Sequence, residues 1–129
     1  MSHVLTADGG TESLRARVHD LAGACLGSHA VPYETRFESG NRVEQDPADW
    51  WANFVTAARG AIEASGVEPA SIEAIAYATT CCSVVALDEN GDALRPALIW
   101  MDVRASEEAD RREETLARHI FLSGDAPDT

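Results

Sequence analysis

TADGGTESLRARVHD, residues 6–20, decides how the rest of the chain is read. Val4, Leu5 and Ala7 mark a short buried strand that runs into it, and Leu14, Ala16 and Val18 alternate as a second strand. Between them, Gly9-Gly10 predicts a tight turn whose bare backbone N–H groups can approach an anion closely. Thr11 and Ser13 add hydroxyl donors and Arg15 a cation, while Asp8 is placed to hold a metal ion that a phosphate also binds. The plainer reading of the same residues is an ordinary hairpin turn rich in Gly and Asp.

Outward from this hairpin, residues 21–37 (LAGACLGSHAVPYETRF) predict a Gly-containing turn and a third strand from about Ala24 to Glu34. Residues 38–45 (ESGNRVEQ) read as a polar loop. The next segment, 46–66 (DPADWWANFVTAARGAIEASG), is punctuated as a helix, with Asp46 at the N-cap, Pro47 at N1, Asp49 in the first turn and Gly66 past the end. Trp50, Trp51, Phe54, Ala58, Ala61, Ile62 and Ser65 recur at helical spacing and predict its buried face. Both tryptophans are assigned to packing of helix on sheet. Gly60 costs the helix about 1 kcal/mol relative to alanine, which points to close packing there.

Residues 71–80 (SIEAIAYATT) predict a buried strand, and 83–100 (SVVALDENGDALRPALIW) predict two strands around Asn90-Gly91. From Ser106 a charged helix is expected, with Glu107–Arg111, Glu108–Arg112 and Glu114–Arg118 as i,i+4 pairs, ahead of a frayed end. The fold class is therefore α/β: a mixed sheet in the order β-β-β-α-β, plus a β-hairpin and a C-terminal helix. That is the opening of a ribonuclease-H-like or actin-like fold, read as an N-terminal half-domain. Residues 1–108 are assigned to it, and 109–129 to the charged helix and tail.

The composition excludes several functions. In 129 residues a formal net charge of −12 opposes binding to nucleic acid or an anionic membrane. No stretch has the length of a membrane span and no signal-like run precedes residue 10, so a cytoplasmic location is expected. Cys25, Cys81 and Cys82 form neither a C-x-x-C pair nor, with the four histidines, a zinc-ligand spacing. Reduced thiols are expected, a vicinal disulfide being strained. A cysteine-dependent enzyme built on Cys81 and Cys82 has little support.

Four stretches in order now carry a resemblance. ADGGTESLR (7–15) resembles the first phosphate motif, Asp-x-Gly-Thr-x-Ser-x-Arg, of the FGGY carbohydrate kinases. VEQDPADWW (43–51) resembles that family's loop leading into its first helix, ATTCCSVVALDENGDALRPALIW (78–100) its sugar-side strand and hairpin, and WMDVR (100–104) its Trp-x-Asp-x-Arg motif. The Thr-Cys-Cys stretch is most similar to ribulokinase-like members, with xylulokinase-like members second.

The resemblance implies transfer of the ATP γ-phosphoryl group to a sugar hydroxyl, with Mg²⁺ and with a ketopentose such as ribulose as acceptor. It implies Asp8 as the Mg²⁺ residue, acting through water, and Gly10, Thr11, Ser13 and Arg15 as the phosphate-binding residues. It further implies Thr80, Cys81 and Cys82 on the sugar side, Trp100 as an apolar wall, and Asp102 with Arg104 as sugar-facing polar groups. Asp102 and Arg104 are also readable as a surface pair and Cys82 and Trp100 as core packing, and Glu12, an acid beside a phosphate site, must point outward. The family's catalytic-base aspartate, second phosphate motif and adenosine motif lie beyond these residues. The chain alone is therefore expected to be inactive. A different class of function, a non-catalytic remnant binding a sugar or a partner chain, is the competing expectation. Uncovered sheet edge and apolar surface would then favour a homo-oligomer.

Overall fold

The computed structural model describes residues 1–113. β1 (His3–Gly9), β2 (Ser13–Asp20) and β3 (Cys25–Pro32) form the expected antiparallel meander. β4 (Arg36–Glu38) and β5 (Arg42–Gln45) follow, then α1 (Pro47–Ser65), a single 3₁₀ turn (Pro69–Ser71), β6 (Ile72–Thr79) and β7 (Ala97–Leu98). β6 joins the first sheet parallel to β1, giving the order β3-β2-β1-β6, while β4-β5-β7 make a second, smaller sheet.

Alternation along β1 and β2 sets the core. Leu5, Ala7, Leu14, Ala16 and Val18 point to one face and are buried with Ala57 and Ala61 of α1. Asp46 caps α1 by accepting from the Ala48 N–H at 3.0 Å, and Gly66 ends it in the left-handed region at φ 67°. The helix lies over β2 and β3 and barely touches β1. Small residues permit this approach. A Cβ on Gly27 would fall 2.3 Å from the Ser65 backbone nitrogen, and one on Gly60 would fall 2.5 Å from the His29 ring.

Gly27→Ala is accordingly expected to destabilise the chain by about 3 kcal/mol, because rigid helix backbone stands in the way. Gly60→Ala should also be unfavourable, but less so, since its steric clash is with a side chain and alanine returns about 1 kcal/mol of helix propensity. Urea unfolding midpoints check both, and an unchanged midpoint for Gly27→Ala would contradict the helix-on-β3 contact.

Several expectations are corrected. Residues 38–45 are not a plain loop: Gly40 and Asn41, at φ 75° and 59°, turn the chain between β4 and β5. The buried face of α1 takes in Ala61 as expected but is completed by Ala57, and Trp51 is 69% exposed, its ring tilted against Phe54. β6 is not buried, with Ile75 and Tyr77 60% and 52% exposed, because α1 covers the opposite half of the sheet and β6 is its edge.

Around Asn90-Gly91 the chain doubles back through a three-residue turn, with Gly91 at φ 88° and the Asp88 N–H donating to the Asp92 carbonyl at 2.9 Å. Apart from the two-residue β7, which pairs with β5, single bridges, Leu87 with Ala93 and Val84 with Leu98, replace the two regular strands. The C-terminal helix begins at Ser106 as expected. Arg111 contacts Glu107 at 3.4 Å and also Glu108 at 3.7 Å. The Glu114–Arg118 pair and the frayed end lie outside the described residues.

Candidate functional site: the β1–β2 turn and its two clefts

Asp8 and Arg15 stand opposite one another in the β1–β2 ladder. Because Ala7 and Leu14 face the core, Asp8, Ser13 and Arg15 fall on the other face, where Asp8 and Arg15 are exposed. The turn between them closes through the Gly10 N–H donating to the Ser13 carbonyl at 3.0 Å. Thr11 and Glu12 occupy its middle, and neither glycine takes positive φ. The glycines act by size instead. A Cβ on Gly9 would stand 3.1 Å from the Tyr77 hydroxyl and 3.3 Å from Thr79 Oγ1. One on Gly10 would meet only the Ser13 carbonyl, at 3.4 Å, so Gly10 presents bare backbone to the space beyond. With the Gly10 amide committed to the turn, the amides of Thr11 and Glu12 are the donors left to face an anion. Glu12 itself is exposed.

A residue not singled out from sequence holds this turn in place. Gln45, 4% exposed at the end of β5, donates through Nε2 to the Thr11 carbonyl and to Thr35 Oγ1, both at 2.8 Å. Its Oε1 accepts from Trp50 Nε1 at 2.9 Å, so α1, β5 and the turn share one amide. The signal was a polar residue directly ahead of the helix cap. Trp100 donates through Nε1 to Thr11 Oγ1 at 2.9 Å, which leaves the Thr11 hydroxyl proton free to point elsewhere.

Two adjoining clefts open on the turn. The first, about 760 Å³, is lined by Asp8, Gly10, Thr11, Ser13, Arg15 and Trp100, with Tyr33 among its further walls, and Glu12, expected to point away from the site, is among its lining residues too. The second, about 400 Å³, takes Gly9, Gly10, Thr80, Cys81, Cys82 and the other side of Tyr33. The Thr80 N–H and the Thr79 hydroxyl both reach the Gly9 carbonyl, at 3.0 and 3.2 Å, which ties the end of β6 to the turn. Trp100 thus joins the phosphate-motif residues rather than the cysteines. Burial, with added repulsion from Tyr77 and Asp8, pushes the Tyr33 phenol up to about 12. Among the described residues no group of three or more His, Cys, Asp or Glu is assembled for a metal.

Asp102 and Arg104 line neither cleft. The Asp102 side chain, 2% exposed, accepts from Arg104 Nε at 2.8 Å, Arg104 Nη2 at 2.6 Å and the Val43 N–H at 2.8 Å. Arg104 also reaches Glu44 Oε1 at 2.7 Å, and Arg95 pairs with the same carboxylate. Asp102 therefore has no free face for a sugar hydroxyl in this arrangement; the cluster instead bolts the WMDVR segment to β5.

Hydrogen bonds from Arg104 hold the Asp102 carboxyl well below the usual carboxylate range, and hold Glu44 down as well. A depressed folded-state pKa contributes stability that is complete above the unfolded value near 4 and is lost as pH falls through that window. Asp102→Asn is thus expected to lower the melting temperature by several degrees at pH 7. The gap to the parent should narrow toward pH 2. A gap independent of pH would argue against the ion pair.

The model of the FGGY family of carbohydrate kinases, N-terminal domain, matches residues 3–123. The chain belongs to the FGGY family of carbohydrate kinases. It is 33% identical over 107 residues to a glycerol kinase of Roseobacter denitrificans, covering 82% of this chain and 22% of that protein. It is 26% identical over 121 residues to a xylulose kinase of Bacillus subtilis, covering 94% and 24%. The crystal structure of xylulose kinase from Rhodospirillum rubrum superposes with a TM-score of 0.76 at 26% identity, over 87% of this chain and 23% of that one. The actin-like fold is thereby shared. The chain spans about a quarter of the length of these relatives. Among the described residues no helix is long and apolar enough to cross a membrane.

Proposed function

We propose that this chain supplies the first phosphate-binding turn and part of the acceptor wall of a cytoplasmic ATP-dependent carbohydrate kinase. The observation that carries the reading is the convergence of Asp8, Thr11, Ser13 and Arg15 on one cleft beside a bare Gly10. Phosphoryl transfer asks a protein mainly for positioning and neutralisation of charge, and these groups are of that kind. Arg15 and the turn amides bind phosphate oxygens, and Ser13 adds a hydroxyl donor.

Asp8 and Glu12, both exposed, line this phosphate cleft and fit Mg²⁺, which commonly takes one or two carboxylates and completes its shell with phosphates and water. Asp8 would hold it there; when bound, the ion neutralises charge on the transferring group. The acceptor we infer is a ketopentose such as ribulose, on the strength of the Thr80-Cys81-Cys82 stretch. The named glycerol and xylulose kinase relatives support the wider class of small polyhydroxylated alcohols. Asp102 and Arg104 act instead by holding the WMDVR segment to β5.

Amide NMR on the ¹⁵N-labelled chain tests the turn. Titration with Mg·ATP should shift the Thr11, Glu12 and Ser13 amides and the Trp100 indole N–H together and to saturation. Saturable shifts confined to other parts of the sheet would remove the phosphate role from this turn. A partner-binding remnant is the second reading, favoured by the exposed Ile75, Tyr77 and Trp51 on the β6 side. Concentration-dependent self-association in sedimentation, without any response to Mg·ATP, would support it over the first.

A further inference from the structure

Immediately after β6 the chain passes through Thr80, Cys81 and Cys82, and Cys82 takes the left-handed conformation at φ 65°. In a continued strand two consecutive side chains would point to opposite faces. The positive φ of Cys82 breaks that alternation, and the two sulfurs meet, with the Cys82 thiol donating to Cys81 Sγ at 3.6 Å. A non-glycine residue in that region carries backbone strain, of a kind that concentrates at ligand sites and switches. Both cysteines are exposed and line the second cleft together with Gly9 and Gly10.

The separation of the sulfurs says what they can bind. Two thiolates bonded to a single centre at about 2.3 Å stand about 3.8 Å apart at a tetrahedral angle and about 3.5 Å apart at the narrower angle of a three-coordinate pyramidal centre. The observed 3.6 Å is within a few tenths of both, so a bridging atom requires almost no backbone movement. A direct disulfide asks for Cα atoms about 4.4 Å or more apart, whereas consecutive residues hold theirs at about 3.8 Å. One intervening atom suits this pair better than a sulfur–sulfur bond. No third His, Cys, Asp or Glu joins the pair among the described residues, so a centre that brings its own remaining substituent is better matched than a four-ligand zinc ion.

We propose that Cys81 and Cys82 form a bidentate dithiol site for a thiophilic three-coordinate centre of the trivalent-arsenic class, capture of which fills the second cleft. With an aryl arsenoxide, two As–S bonds form and the arsenic–oxygen bond breaks. The oxygen leaves as water with the two thiol protons, and arsenic stays trivalent, so no oxidant or reductant is consumed. The proposal does not depend on the kinase reading, because it rests on the two sulfurs and the cleft alone.

The test is titration of the reduced 129-residue chain with phenylarsine oxide, followed by intact mass and by competition with thiols. One adduct per chain is expected, retained in excess glutathione and stripped by 2,3-dimercaptopropanol. Cys81→Ser and Cys82→Ser should each weaken capture by about 10²- to 10⁴-fold, since the second bond is then no longer intramolecular. Both sites are exposed, so serine at either leaves the core untouched, which circular dichroism checks. Cys25→Ser should leave capture unchanged. Full-strength capture by either single variant, or loss of capture on changing Cys25, would overturn the proposal.

Discussion

Asp8→Asn is expected to abolish the Mg²⁺-dependent part of ATP binding to this chain while leaving its fold intact. The side chain is exposed and makes no hydrogen bond or ion pair among the described residues, so little packing is lost. What is lost is the one carboxylate of the first cleft that faces a cation across the ladder. In a kinase that completes this domain, the same change should lower turnover by about 10²- to 10³-fold, equivalent to roughly 3–4 kcal/mol of charge stabilisation. A second readout is independent of nucleotide. The Asp8 charge contributes to raising the Tyr33 phenol, behind burial and Tyr77, so the substitution should bring Tyr33 down from about 12 in an ultraviolet pH titration. Arg15→Gln should weaken ATP binding with or without Mg²⁺, because a guanidinium holds phosphate directly. If Asp8→Asn binds Mg·ATP as the parent does, Asp8 has no part in the metal site.

Much of this arrangement was legible because local chemistry and global fold agree at the hairpin and the helix. Alternation of Leu14, Ala16 and Val18 sets the face of β2, and Asp46, Pro47 and Gly66 mark the ends of α1 within a residue. What was not legible depends on neighbours that one segment cannot report. β6 has the apolar pattern of a buried strand, yet its burial is decided by where α1 lies, and α1 lies on β2 and β3 because Gly27 and Gly60 let it approach there. Helical spacing places Trp51 in the core with Ala61; Ala61 is buried as expected, but its buried companion is Ala57, whose smallness hides it in a hydrophobicity pattern. The Gly40-Asn41 turn was overlooked inside a polar run, although both residues belong to hairpin chemistry.

The candidate site shows the same division. The motif residues 8–15 were found by type and spacing, and they share one cleft. Gln45 was missed because its importance is that of an amide satisfied on three sides, a property of the assembled structure. For Asp102 and Arg104, sequence left a sugar-facing role and a mutual pair both open. The burial of Asp102 beside Val43, Glu44 and Arg104 favours the pair.

The 129-residue chain by itself is expected to show no sugar-dependent ATP turnover. Phosphoryl transfer needs three things at once: phosphates held in line, an acceptor hydroxyl oriented toward a base, and closure that excludes water. The β1–β2 turn offers the first in part, through Asp8, Thr11, Ser13 and Arg15. For the second, no carboxylate or histidine lines the second cleft among the described residues, and Asp102, outside both clefts, is unsuited. Asp102 is enclosed by Arg104 and held ionised, and a carboxylate so strongly stabilised by hydrogen bonds is a weak base. Loss of a general base typically costs about 10²- to 10⁴-fold in rate. For the third, the first cleft is an open surface bounded on one side by Trp100, which is itself 53% exposed. Water then has access to the nucleotide, and the advantage of holding both reactants in register, about 7–11 kcal/mol in well-oriented systems, is not realised. These losses multiply, which puts the rate below detection even where Mg·ATP binds. The assay is ADP release from the purified chain with ATP, Mg²⁺ and a panel of ketopentoses and polyols. Turnover at an ordinary enzymatic rate, about 1 s⁻¹ or faster, would mean that a complete base and clamp are present within these residues.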